Sequence, residues 1–298
     1  MESFSGFIGI VATLGALVLI WWPIRLAIAH RMERRFEVAN PRNADGIIIG
    51  AEPVLLRGVR PGAVLLLHGY NDSPQAVTSL ANALHAAGWT VCAPALPGHA
   101  RTLDAFARSR ARDWLAAARA ELDALRRTHE DVAVCGMSMG GALALALAAD
   151  VPEVRAVVGL APYLHLSRAM EALLVFGPVA ALGARYVSGG GKRSVHDPKA
   201  AERMIAYRAS TPRLLYELTR VTRHAYTRLP QVRQPVLVMQ SREDNRIPQK
   251  SAQRAFDQIG SADKTLEWLT GTGHVITVDY GHEVMEQRVV DWLETRLA

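Results

Sequence analysis

From about residue 45 onward, the chain alternates continuous apolar runs with longer helical stretches. Ala63–His68 (AVLLLH) is almost wholly apolar and stops at Gly69, as a strand buried on both faces reads. Pro74–Ala87 predicts a helix, with Asp72 or Ser73 as its cap and Pro74 near its first position. Trp89–Leu96 predicts the next strand, ended by Pro97-Gly98, and Arg112–Arg127 an amphipathic helix. Asp131–Cys135 predicts a strand, and Gly140–Ala149 (GGALALALAA) has the Ala/Leu content of a buried helix. Val154–Leu160, Pro235–Gln240 and Lys264–Leu269 supply further strands, with helices at Gln249–Ile259 and Tyr280–Arg296. This alternation predicts an α/β architecture, a mostly parallel sheet with helices on both faces.

Two stretches depart from the rhythm. Pro162–Leu229 shows no strand pattern and reads as helical pieces interrupted by Gly189-Gly190-Gly191, an insertion more like a lid than a loop. At the other end, Phe4–Ile24 contains no charged residue, long enough to span a bilayer at about 20 residues. Trp21 and Trp22 close it, followed by Arg25, Arg31, Arg34 and Arg35. A cleaved signal peptide is a rival, with Ala27-Ile28-Ala29 as an A-x-A site, but Glu2 replaces the basic n-region and the run is long. A buried core helix is another, although apolar residues lie on all sides of it. The expectation is an N-terminal transmembrane helix in the cell membrane, single-pass, with residues from about 30 onward in the cytoplasm. The expected domains are an anchor and basic flank at 1–35, a core at 36–161 and 230–298, and a helical lid at 162–229.

Candidate chemistry centres on Gly136-Met137-Ser138-Met139-Gly140-Gly141, a G-x-S-x-G between a strand and a helix, the context of a nucleophile elbow. A serine on so sharp a turn needs glycines on either side, and the following helix aims its positive end at a developing oxyanion. The serine needs a base, and His274 follows the last strand in Thr270-Gly271-Thr272-Gly273-His274. Asp244 follows the strand Pro235–Gln240 and supplies the group that orients the base. The order Ser138, Asp244, His274 is that of an α/β-hydrolase triad. Glu243 is the rival acid and His282 the rival base, the latter inside an expected helix. His68-Gly69-Tyr70 ends the first strong strand, which assigns the oxyanion hole to the backbone amides of Tyr70 and Met139, with His68 structural.

With HGYNDSP at His68–Pro74, ALPGHARTLDAF at Ala95–Phe106, GMSMGG, the Asp244 loop and GHVITVDYGHEVMEQRVVDWL at Gly273–Leu293, the chain resembles the α/β-hydrolase superfamily. Within it, the resemblance is to bacterial carboxylesterases and monoacylglycerol lipase-like enzymes, over about residues 45–161 and 230–298. It implies a serine esterase with a helical lid inserted after the sixth strand. The N-terminal segment is not part of the usual soluble pattern, and the lid matches no motif residue by residue.

Composition adds two points. Half the residues are apolar and 21% charged, which excludes a disordered chain, and Cys92 and Cys135 sit inside apolar runs, with no disulfide framework or metal-ligand spacing. The net charge of +6 is unevenly spread. Pro162–Arg233 carries twelve basic residues against four acidic ones, a net of +8, so the lid is basic and the catalytic core mildly acidic. Without stacking aromatics or a reader motif, nucleic acid is not the expected partner; an anionic membrane surface is, with the lid facing it beside the anchor. No cofactor and no metal are expected, and oligomeric state is not legible. The reading is a membrane-anchored serine hydrolase of carboxylic esters, monoacylglycerol or similar lipids. A thioesterase or acyltransferase with the same triad, or a silent membrane scaffold on a hydrolase fold, are the alternatives.

Overall fold

The computed structural model describes the backbone of residues 2–180, 185–188 and 194–297, and their side chains except at 2–20, 173–174, 177–180 and 188. The chain opens with a helix, α1 (Glu2–Ala39), then runs β1 (Val54–Leu56), β2 (Ala63–Leu67), α2 (Thr78–Ala86) and β3 (Thr90–Ala93). Next come α3 (Leu103–Arg108), α4 (Ala111–Arg126), β4 (Val132–Met137), α5 (Met139–Asp150) and β5 (Ala156–Leu160). The insertion contains α6 (Arg168–Ala180), β6 (Val187–Ser188), α7 (Pro198–Arg203), β7 (Ala209–Ser210) and α8 (Pro212–Arg228). The core resumes with β8 (Val236–Ser241), α9 (Gln249–Gln258), β9 (Lys264–Leu269) and α10 (His282–Glu294).

The described residues hold a seven-stranded sheet in the order β1-β3-β2-β4-β5-β8-β9. All neighbours are parallel except the edge strand β1, which runs antiparallel to β3. The continuous apolar runs have the expected cause. Ala63, Leu65 and Leu67 of β2 enter one hydrophobic cluster, and Val64 and Leu66 enter the cluster on the other face. Helix α5 is buried along nearly its whole length, and its Ala/Leu sequence lets it lie between the sheet and α8.

The insertion follows the fifth strand in chain order, not the sixth, and contains a small antiparallel pair, Val187 opposite Ser210 and Ser188 opposite Ala209. Strands of two residues are too short to leave a period-two signal, so the all-helical expectation missed them.

Among the described residues no helix is long and apolar enough to cross a membrane, and the spanning segment expected at Phe4–Ile24 has no support there. Its side chains up to residue 20 lie outside the described residues. What is described is how α1 docks. The boundary drawn at residue 35 falls inside the helix, whose last turns pack on the folded domain through Ala29, Met32 and Phe36. The Phe36 ring stacks on Tyr207 with centroids 4.9 Å apart, and Tyr207 stacks on Phe106 at 4.1 Å. One turn earlier, the Glu33 carboxylate accepts the Tyr186 hydroxyl at 2.6 Å and lies 3.3 Å from Arg185. Arg185 also reaches Asp104 of α3, so one guanidinium joins α1, α3 and the insertion.

Phe36→Ala removes the outer ring of this stack and lowers stability by about 2 kcal/mol, less than a fully buried Phe because the ring is partly exposed. Urea unfolding of both proteins at one pH measures the difference.

Candidate active site

The turn between β4 and α5 sets the site. Ser138 sits there with φ 54° and ψ −114°, a backbone conformation that residues with a Cβ rarely adopt. Its amide donates to the Leu160 carbonyl at 2.9 Å, and its carbonyl accepts the Tyr163 amide at 2.9 Å. The strain is therefore held by the neighbouring strand and the start of the insertion. Two glycines make the turn possible. A Cβ on Gly136 would overlap the Gly140 carbonyl, and one on Gly140 would overlap the backbone of Leu67 and His68. Helix α5 thus starts against the end of β2 with nothing between them.

The structure brings Ser138, His274 and Asp244 into one hydrogen-bonded chain. The Ser138 hydroxyl lies 2.8 Å from Nε2 of His274, and Nδ1 of the same ring lies 2.7 Å from Oδ2 of Asp244. With Nδ1–H donating to the carboxylate, Nε2 is left as the acceptor for the serine proton. Asp244 is saturated. Oδ2 also accepts the Gln240 amide at 2.7 Å, and Oδ1 accepts the backbone amides of Arg246 at 2.7 Å and Ile247 at 3.0 Å. Burial alone would raise this carboxyl, but the His274 and backbone hydrogen bonds outweigh it and hold it below its ordinary value. The arrangement can withdraw a proton from Ser138 and keep the imidazolium that results.

The rival residues lie elsewhere. Glu243 accepts the Gly271 amide at 3.0 Å and faces His196 at 3.6 Å, while His282 begins α10 and donates to the Asp279 carbonyl at 3.0 Å.

Tyr70 lines the same cavity as Ser138 and His274. Its amide donates to no carbonyl among the described residues. Met139 is the first residue of α5, so its amide has no acceptor within the helix. Two buried histidines orient the Tyr70 segment. His68 accepts the Leu96 amide on Nε2 at 3.1 Å, which leaves Nδ1–H to donate to the Gly69 carbonyl at 2.8 Å. That carbonyl and the Tyr70 N–H belong to one trans peptide plane, so fixing the oxygen aims the N–H from the opposite edge. His99 donates from Nε2 to the Tyr70 carbonyl at 2.7 Å and fixes the next plane. Burial pushes His68 well below the usual imidazole value, with His99 adding to it, and brings His99 down to about 4.

Several residues here were missed in the sequence. His99 lies in a stretch singled out only as a motif. Asp279 has no side-chain partner to advertise it, because its buried carboxylate accepts four backbone amides: Gly273 at 2.6 Å, His196 and Asp197 at 2.8 Å, and Tyr280 at 2.9 Å. Those bonds outweigh the cost of burial and lower the carboxyl's pKa. They tie the His274 loop to the returning end of the insertion, as does the Val275 amide donating to the Ser194 carbonyl at 3.0 Å. Neither Asp72 nor Ser73 caps the turn at Pro74–Val77 with its side chain; Ser73 occupies the cap position, and Asp72 faces the cavity. Among the described residues no group of His, Cys, Asp and Glu comes together to hold a metal ion, and both cysteines are free and buried.

Comparison with known proteins gives one coherent set. Residues 59–280 match the family described as "Serine aminopeptidase, S33". A thermostable monoacylglycerol lipase of a Bacillus species is 28% identical over 246 residues, covering 83% of this chain and 95% of the relative. A carboxylesterase of Bacillus subtilis is 28% identical over 234 residues, 78% of this chain and 92% of the relative. A solved structure from work on LipS and LipT, two metagenome-derived lipolytic enzymes, aligns with a TM-score of 0.77 at 31% identity. It covers 84% of this chain and 100% of that one.

His99 gives the protein a defined acid limit. The unfolded chain takes up this proton near pH 6.5, whereas the folded form refuses it until about 4. The contribution is complete above about pH 6.5 and falls by up to about 3 kcal/mol as the pH drops toward 4. His99→Gln, which can still donate to the Tyr70 carbonyl, flattens that part of the dependence. Urea midpoints at pH 7.5, 5.5 and 4.5 for the two proteins measure it.

Proposed function

The chain belongs to the serine aminopeptidase S33 family and is a carboxylic ester hydrolase of α/β-hydrolase fold, and on that premise we propose that it cleaves single-chain lipid esters through an acyl-enzyme on Ser138. His274 takes the Ser138 proton as Oγ attacks the ester carbonyl, and returns it to the leaving alcohol. Asp244 holds the tautomer in which Nε2 is free, and stabilises the imidazolium. The Tyr70 and Met139 amides bind the oxyanion, with the amino end of α5 behind them. Water, activated by the same histidine, then attacks the acyl group and frees Ser138.

The observation that carries this reading is the Ser138–His274–Asp244 chain opening into one cavity of about 650 Å³. That volume lies within the range of small-molecule sites. Part of its wall is aliphatic, with Val195, Met204, Leu215, Leu218 and Val275, which suits an acyl chain. The relatives named monoacylglycerol lipase and carboxylesterase support monoacylglycerol or a similar lipid as the substrate.

The N-terminal helix is the membrane anchor in this proposal, with the catalytic domain on the cytoplasmic side. The uncharged run Phe4–Ile24, exposed Trp21, Trp22, Ile24 and Ile28, and the arginines that follow support it. The basic insertion then meets an anionic leaflet.

Ser138→Ala lowers ester hydrolysis by a factor on the order of 10⁴–10⁶ and abolishes labelling by a fluorophosphonate probe. Wild-type protein that is folded yet unlabelled would sink the acyl-enzyme. Hydrolysis across p-nitrophenyl esters and monoacylglycerols of rising length tests the substrate class: activity persists toward long chains, and a sharp preference for acetate removes the lipid assignment. In flotation with anionic vesicles, the full chain rises with the lipid in high salt, and a form lacking residues 1–24 does not.

A further inference from the structure

Asp72 is a buried carboxyl that accepts no hydrogen bond among the described residues. It is only 7% exposed and lines the same cavity as Ser138 and His274. Among the described residues no cation forms a salt bridge with it at contact distance, although the charges of His274 and Arg246 reach it. On one side the carboxylate lies against the α-carbon of Gly69, where a Cβ would overlap it. Buried polar groups in native proteins are satisfied by something, and the open side of this one is the cavity. Burial pushes the carboxyl up to about 6, with His274 and Arg246 pulling it back down.

Arg246 lines the cavity too, and among the described residues it forms no ion pair. Its Nε donates to the Ser194 hydroxyl at 3.0 Å, and its backbone amide holds Asp244. An acceptor and a donor therefore share one cavity wall with His274, whose charge reaches Asp72, while Arg246 follows two residues after the Asp244 that holds the ring. The leaving alcohol receives its proton from Nε2 of His274 and must lie within hydrogen-bond reach of it. Polar groups that share the cavity wall with His274 are thus in the part of the site where the leaving alcohol must lie.

The pair is selective by charge. An ammonium group would gain Asp72 but face Arg246, and a carboxylate or phosphate would gain Arg246 but face Asp72. A hydroxyl-bearing neutral group suits both, because a hydroxyl donates as well as accepts. We propose that Asp72 and Arg246 form a head-group subsite that selects esters of neutral polyols, Asp72 accepting from and Arg246 donating to hydroxyls of the leaving alcohol. The subsite rests on Ser138 and His274 acting as proposed above.

The test compares three esters sharing a decanoyl chain: monodecanoylglycerol, methyl decanoate and decanoylcholine. In the wild type, kcat/KM for the glycerol ester exceeds that for the methyl ester by about tenfold or more, as for a hydroxyl bonded to a charged group. Asp72→Ala brings the two within about twofold, chiefly through KM for the glycerol ester, and Arg246→Gln gives part of that loss. Asp72→Asn is the variant of unchanged shape, and fluorophosphonate labelling reports that each protein is folded with a reactive serine. An unchanged glycerol advantage in labelled Asp72→Ala and Asp72→Asn overturns the subsite, as does a wild-type preference for the methyl ester or for decanoylcholine. A folded wild type that neither labels nor cleaves any ester overturns the Ser138 assignment and the subsite with it.

Discussion

The first turn of α5 meets the ends of β2 and β4 so closely that no Cβ fits between them. Gly136 and Gly140 are there because the backbone of Leu67, His68 and Gly140 fills the space that a side chain would need. That approach forces Ser138 into its strained conformation and lifts its hydroxyl out of the turn. It also brings the amide end of a buried helix beside the loop that carries Tyr70. The remaining parts of the site come to this point along parallel strands: Asp244 after β8 and His274 after β9, each in the loop at its strand's carboxyl end.

Burial then decides what the polar groups around the serine can do. The neutral His68 and His99 rings each have one hydrogen to give, and each gives it to a carbonyl in the turn that presents Tyr70. A charged imidazolium would be costly in the same place. Asp244 is also buried but takes four hydrogen bonds, and so stays ionised beside His274. The contrast with Asp72 is one of partners rather than of depth: two buried carboxylates near His274 are driven in opposite directions.

Much of this was legible in the sequence, for reasons that can be stated. Strands buried on both faces leave unbroken apolar runs, so β2, β4, β5 and β8 stand out. The elbow, Asp244 and His274 announce themselves because strand ends, glycines and polar residue types coincide. Elements of two or three residues, β1, β6 and β7, are too short for a periodicity. The docking of α1 was hidden because its partners, Tyr186 and Tyr207, lie far along the chain and no local pattern connects them to Glu33 and Phe36. Asp72 read as one of two candidate helix caps, with Ser73, because Asp and Ser just before a helix-starting Pro favour that role. Its place in the cavity depends on how Gly69 turns, which sequence spacing does not encode.

The Asp279 carboxylate ties the cavity wall to the loop of His274. Its two oxygens hold Gly273, which precedes His274, and the amides of His196, which lines the cavity, and of the adjacent Asp197. The returning end of the insertion cannot leave without freeing acceptor sites that also hold the loop of His274. The order of these two segments is therefore thermodynamically linked. A ligand that orders residues 194–197 also orders the His274 loop, and by reciprocity a well-ordered His274 loop favours that ligand.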